Sequence, residues 1–255
     1  MGIILLKIFI SISYIGMIIV NYLANSIPFN DQNTGEISSK YPSFFTPAGF
    51  TFSIWGIIYL FLGIYVVKMI FTSSTDLSEQ YLTTTMILFI ATSVLNITWL
   101  FCWHYDYIVL SSIVMAVFLI LLLIAMSIIP SESILIKSAF SLYAGWLSVA
   151  FIANVTIMII YLKIDFFLQK EILWYIIIII VGLLLVSLVL FTSRNVVYGL
   201  VFVWAYFGIF TKHKSQIDYF ISDNWAPTFT GIVLLIISVI TIVTYVFNDF
   251  SLFQK

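Results

Sequence analysis

Stretches of about twenty apolar residues follow one another along the whole chain, at 4–25, 48–71, 83–104, 108–129, 136–162, 172–193, 196–211 and 227–248. A bilayer core about 30 Å thick takes roughly that many residues of helix. In hydrocarbon every backbone N–H and C=O must be satisfied within the protein, which leaves helices or closed barrels. Runs of this length and apolar density are helices, so the sequence specifies an all-α, multi-pass integral membrane protein. The composition, 63 % hydrophobic and 8 % charged, is far outside the soluble globular range. The stretch 196–211 is the shortest, and if it does not cross, the count falls from eight to seven. Lys7 precedes a long apolar run with no small-residue cleavage site behind it, so the first run is expected to stay as a helix.

Charge narrows the function classes. The net charge is −1 and no basic block occurs, which argues against nucleic acid and against a polybasic lipid contact. Cys102 is the single cysteine, so neither an internal disulfide nor a cysteine metal cluster can form, and His104 and His213 are the only histidines. No metal and no obligatory cofactor is expected. No carboxylate pair or nucleophile with a nearby base lies in the membrane portion, against ordinary hydrolytic chemistry. Ion or proton relays lack a mid-span charge, Lys137 lying near a span end, and no proline interrupts a span as in broken-helix transporters. With eight spans Lys7, Lys68, Lys137, Arg194 and Lys255 fall on one side and Lys40, Lys163, Lys170, Lys212 and Lys214 on the other, a tie that sets no orientation.

The longest connection, 26–46, carries turn chemistry at Asn33-Thr34-Gly35. The other links are short, as for antiparallel neighbours. The charged link "KIDFFLQKE" at 163–171 divides the chain into five helices, residues 1–163, and about three more, residues 164–255. The stretch 172–193 is apolar on every face and reads as a lipid-exposed or simple packing helix.

Three aromatic clusters stand out. In "FTPAGFTFSIWGIIYL" (45–60), Thr46 and Pro47 read as N-cap and first helical position. Gly49, Gly56 and Gly63 recur every seven residues and would let another helix approach closely, which also permits a homodimer. Phe52, Trp55 and Tyr59 form a stripe at i, i+3, i+7 that would pack core, sit in the interfacial belt or line a pocket. In "LNITWLFCWHY" (95–105), Asn96, Trp99 and Trp103 share a face, and the intramembrane amide needs a partner, either another helix or a ligand. His104 and Asp106 are expected to be solvated at the helix end. In "YAGWLSVAFIAN" (143–154), Trp146, Ala150 and Asn154 align, an indole beside a small gap, which suits a flat apolar ligand or ordinary helix packing.

In this order and spacing the clusters resemble the TspO/MBR family, the tryptophan-rich sensory proteins that include the mitochondrial translocator protein. The resemblance covers roughly 1–163 and implies a TspO-like five-helix bundle, here followed by about three further transmembrane helices. It implies a flat hydrophobic ligand, porphyrin, haem or sterol, in a pocket under the first long loop. Carried over by motif, Trp55, Asn96, Trp99, Trp146 and Ala150 would line that pocket, with Phe52, Tyr59 and Asn154 on the same faces, and Tyr41 and Pro42 would belong to the lid. The residues matching Trp55 and Trp146 are linked in the family to light-driven porphyrin breakdown. Here Pro47-Ala48 stands for the family's paired prolines, Phe50 for a common tryptophan, and Lys40 for an aromatic before Tyr41. Val155, Tyr161 and Lys163 fit a proposed sterol pattern, but so do Leu62, Tyr65 and Lys68, and Val203, Tyr206 and Lys212.

The expectation is therefore a multi-pass sensor or regulator that binds a small flat hydrophobic ligand, surrounded by membrane lipid, in the cell membrane if the source is bacterial. The alternative is a permease-type protein for a small hydrophobic substrate.

Overall fold

The computed structural model describes residues 2–27, 29–41, 43–72, 79–164, 170–215 and 225–254. Pro42 of the expected lid lies outside them. The described residues form α1 (Ile3–Ser26), α2 (Thr34–Lys40), α3 (Ile54–Phe71), α4 (Glu79–His104), α5 (Ile108–Ile128), α6 (Ile134–Tyr161), α7 (Glu171–Ser193), α8 (Val196–Ser215) and α9 (Trp225–Phe247), with short 3₁₀ turns at Phe29–Asp31 and Gly49–Ser53. Eight of the helices, all but α2, are long and apolar enough to cross a membrane. The 196–211 run is among them, because α8 continues through Lys212, His213 and Lys214 to a full 20 residues.

The chain forms two compact units, one of residues 1–40 with 55–144, the other of 41–54 with 145–255. In the N-terminal unit α4 packs on both α1 and α5. Tyr65 is fully buried, its ring 5.2 Å from Phe89 and 5.1 Å from Phe140. Lys7 Nζ donates to the carbonyls of Ile70 (2.9 Å) and Thr72 (2.7 Å), placing an ammonium where α3 leaves its last acceptors unmet. Tyr14 lies across Gly63 and donates to the Tyr59 carbonyl at 2.9 Å.

The turn expected at 33–35 is a helix start. Asn33 Oδ1 accepts from Gly35 N and Glu36 N, both at 3.0 Å, while Glu36 Oε2 accepts from Asn33 N at 2.8 Å. This reciprocal capping box opens α2.

In the C-terminal unit α9 packs on α8 and α7. Glycines admit the bulky neighbours: Tyr206 lies on Gly182, Val201 on Gly145, and Thr241 on Gly199. α7 ends at Arg194 in the left-handed region (φ 44°), and Asn195 caps α8 by accepting from Tyr198 N at 3.0 Å. The segment after α9 closes this turn, with Leu252 O accepting from Val196 N and Asn248 Nδ2 donating to Arg194 O.

Two expectations around 45–63 are corrected. Thr46 and Pro47 do not cap a helix: the 3₁₀ turn starts at Gly49, after Ala48, with no side-chain cap. Ala48 N instead donates to Gly208 O at 3.1 Å and Thr46 N to Ser43 O at 3.3 Å, so bonds to α8 and a local turn fix this backbone. Nor do the three glycines make one contact face. Gly63 meets Tyr14, whereas Gly49 and Gly56 have nothing within 4 Å of a would-be methyl.

Candidate functional site

The best-defined cluster lies within the N-terminal unit. Asn96 sits in α4, fully buried, and both ends of its amide are used. Asn21 Nδ2 of α1 donates to Asn96 Oδ1 at 2.6 Å, and Asn96 Nδ2 donates to the Tyr143 hydroxyl of α6 at 3.0 Å. The Tyr143 hydroxyl then points at Met17 Sδ, 3.7 Å away. Tyr59 of α3 also reaches Asn96 with its hydroxyl. An amide in hydrocarbon without partners would be costly, and three other helices meet that demand here. Asn96 is therefore an interhelical node.

Rings flank the node. Trp55 stacks on Tyr59 with centroids 5.4 Å apart and meets Tyr143 edge-on at 6.0 Å. Trp55 and Tyr59 are both half-buried. Further along α4, Trp99 stacks on Trp103 at 5.8 Å. Both indoles are buried, as the shared-face spacing predicts. Trp103 Nε1 donates to Thr34 O at 3.2 Å, whereas Trp99 Nε1 has no acceptor among the described residues. His104 is not solvated at the helix end as expected. It is fully buried, with Nδ1 2.8 Å from Leu100 O and Nε2 3.3 Å from Ala24 O, and Phe29 stands edge-on to its ring. Asp106 is partly exposed and paired with Lys40 Nζ at 2.7 Å.

The other expected residues belong to the C-terminal unit. Phe52 meets the buried Trp146 edge-on at 5.7 Å. Ala150 is half-buried and Asn154 buried, further along α6. Tyr41 stands edge-on to Tyr161 at 6.1 Å. Of the three tyrosines that fit the sterol pattern, Tyr161 is 42 % exposed while Tyr65 and Tyr206 are fully buried. Val155 is half-buried, and Lys163 is exposed, just past the helix end at φ 51°. The structure thus gathers Trp55, Tyr59, Asn96 and Trp99 in one unit and Tyr41, Phe52, Trp146, Ala150, Asn154, Val155, Tyr161 and Lys163 in the other.

Sequence reasoning missed Asn21 and Tyr143. Asn21 carried the same signal as Asn96, an amide inside an apolar run. It also missed how 41–54 is held. Trp204 Nε1 donates to Thr51 O at 2.9 Å, Phe50 stands edge-on to Trp204, Phe45 to Tyr206, and His213 Nε2 lies 2.8 Å from Phe44 O.

Buried amides shared among apolar helices and flanked by stacked tryptophans define a polytopic membrane protein whose bundle is organised around polar and aromatic contacts. The chain belongs to the TSPO-like protein family, whose model matches residues 7–247. The match runs past 163, where the resemblance read from the motifs ends, and takes in all of α7, α8 and α9. Neither the curated proteins nor the solved structures contain a match for the chain.

Proposed function

We propose that this TSPO-like protein binds a flat apolar ligand of porphyrin, haem or sterol type within its N-terminal unit, and that binding there serves sensing or regulation in the membrane. The observation that carries the reading is the pairing of rings beside the Asn96 node: Trp55 on Tyr59 and Trp99 on Trp103, with the Trp99 N–H left unmet. Flat π faces and few polar groups are what a small-molecule site of this kind requires. Trp55 is the stacking face, and Asn96 holds Tyr59 and Tyr143 in place around it. Phe52 and Trp146, in the C-terminal unit, offer a second ring pair of the same chemistry.

The test is titration of the nanodisc-held protein with protoporphyrin and with its dimethyl ester, read by tryptophan quenching. Saturable quenching by either probe, weakened by Trp55→Phe and not by Trp146→Phe, supports the reading. Linear, non-saturable quenching by both would refute it.

A further inference from the structure

We infer that His104 is a proton-binding site: with a proton on each ring nitrogen it fastens the end of α1 to the end of α4, and with a single proton it does not. This goes beyond the ligand reading and does not depend on it. The ring is fully buried, and both of its nitrogens face carbonyl oxygens, Nδ1 that of Leu100 at 2.8 Å and Nε2 that of Ala24 at 3.3 Å. A carbonyl can only accept, so each contact needs an N–H. A neutral imidazole has one N–H, and in either tautomer its other nitrogen turns a lone pair toward an oxygen. Only the imidazolium satisfies both carbonyls. The sequence shows why Ala24 O depends on this donor. Its partner in a continuing helix would be the N–H of residue 28, which is proline and has none. Ile27 N is spent on Leu23 O at 2.9 Å, and Ala24 is fully buried. Both carbonyls lie toward the C-terminal ends of their helices, where the peptide dipoles favour a cation.

No carboxylate among the described residues reaches the ring. α4 packs on α1, α5, α2 and the 29–31 turn. At this end they carry Tyr22, Asp31, Glu36 and Lys40, α5 has no titratable group, and α4 and its following link add Cys102, Tyr105, Asp106 and Tyr107. Lys40 and Asp106 pair with each other, Glu36 accepts from Asn33 N, the Cys102 thiol is buried, and Tyr22, Asp31, Tyr105 and Tyr107 are exposed. The two carbonyls therefore answer the proton's charge. More than one bond hangs on it. His104 O accepts from Asn30 Nδ2 at 3.1 Å, and Phe29 stands edge-on to the ring while stacking on Phe101 at 5.1 Å. Asn30 and Asp31 are both left-handed (φ 55° and 58°), a conformation that persists where neighbours hold it. Losing the Nε2 proton frees Ala24 O and loosens the turn that leads into α2. Acid fastens this end of the unit, and neutral pH releases it.

The chain has two histidines, so nitrogen NMR of the nanodisc-held protein labelled in its imidazoles reads the ring directly, with His213→Gln leaving the His104 signals alone. The expected result is two N–H groups on His104 at about pH 5 and one at about pH 8. Hydrogen exchange, corrected for intrinsic rates, should show the amides of residues 25–27 and of Gln32 protected about tenfold more at the lower pH. His213→Gln should keep that difference. His104→Gln, whose amide donates alike at every pH, should abolish it. The protonation readout stands even where His104→Gln fails to fold. A His104 ring with the same number of protons at both pH values, or a protection difference that survives in His104→Gln, would overturn the inference.

Discussion

Replacing Gly208 by alanine should destabilise the protein when residue 51 is threonine and stabilise it when residue 51 is alanine. Gly208 lies inside α8, where alanine is favoured over glycine by about 0.8–1.0 kcal/mol on helix propensity alone. Against this, a methyl on Gly208 would sit 2.8 Å from Thr51 Cγ2 and 2.9 Å from Thr51 Cβ, and closer still to Oγ1. Thr51 is fully buried and has nowhere to swing. The backbone cannot yield freely either, because Ala48 N donates to Gly208 O and Trp204 Nε1 to Thr51 O. Overpacking of this kind costs about 1–3 kcal/mol, so the net effect of Gly208→Ala is a loss of up to about 2 kcal/mol. Thr51→Ala removes the opposing atoms, and adding Gly208→Ala to it should then recover about 0.5–1 kcal/mol. Reversible unfolding in mixed detergent, followed by tryptophan fluorescence and circular dichroism, measures all four corners of the cycle. A stabilising Gly208→Ala in the wild-type background, or the same change in both backgrounds, would refute the steric argument.

Asn96→Leu should cost about 1–3 kcal/mol, since intramembrane hydrogen bonds average about 0.6 kcal/mol and reach about 1.7. A double-mutant cycle with Asn21→Leu should return a coupling of about 0.5–1.5 kcal/mol, and a value near zero would show the 2.6 Å contact to be incidental. Lys40→Ala and Asp106→Ala should each shift stability by no more than about 1 kcal/mol, with the shift shrinking at high salt, because the pair is about one third exposed. A large, salt-independent loss would show that the pair is shielded from solvent. Lys7→Met should lower protection from hydrogen exchange in the last turn of α3, where two carbonyls lose their donor.

What the sequence made legible follows from what the bilayer enforces. Every membrane helix but the start of the second was readable to within a few residues because length and apolarity are imposed by thickness. Asn96 was readable because an amide in hydrocarbon must bond. The facing of α7 was not, since in lipid the buried and exposed sides are equally apolar. Tyr175, Ile178, Ile179, Gly182, Val186, Val189 and Leu190 form its buried stripe, while Ile177, Val181, Leu184 and Leu188 are exposed. Only Gly182, with Tyr206 lying on it, marked the packed side. The start of the second membrane helix was misread for another reason. Thr46-Pro47 has the local chemistry of a helix cap, but a bond from Ala48 to residue 208, far away in sequence, decides where the turn begins. Phe52 was placed on one face with Trp55 and Tyr59 by assuming a continuous α-helix. The 3₁₀ turn at 49–53 advances by about 120° per residue in place of about 100°.

The 41–54 segment is held largely by a helix beyond residue 163, within the stretch the family match covers. In sequence it joins α2 to α3, both of which lie in the N-terminal unit apart from the first residue of α3, yet the segment itself belongs to the C-terminal unit. Each of its fixed points is supplied by that unit: Gly208 O for Ala48, Trp204 for Thr51, His213 for Phe44, Tyr206 for Phe45, Trp146 for Phe52 and Tyr161 for Tyr41. Four of these six come from α8, the helix whose length was in doubt from hydropathy. A span of modest apolarity is what this task demands, because α8 gives its surface to glycine, tyrosine and tryptophan that meet a peptide segment, where a lipid-facing helix would carry isoleucine and leucine. The weak hydropathy of 196–215 and the tight hold on 41–54 therefore have one physical cause.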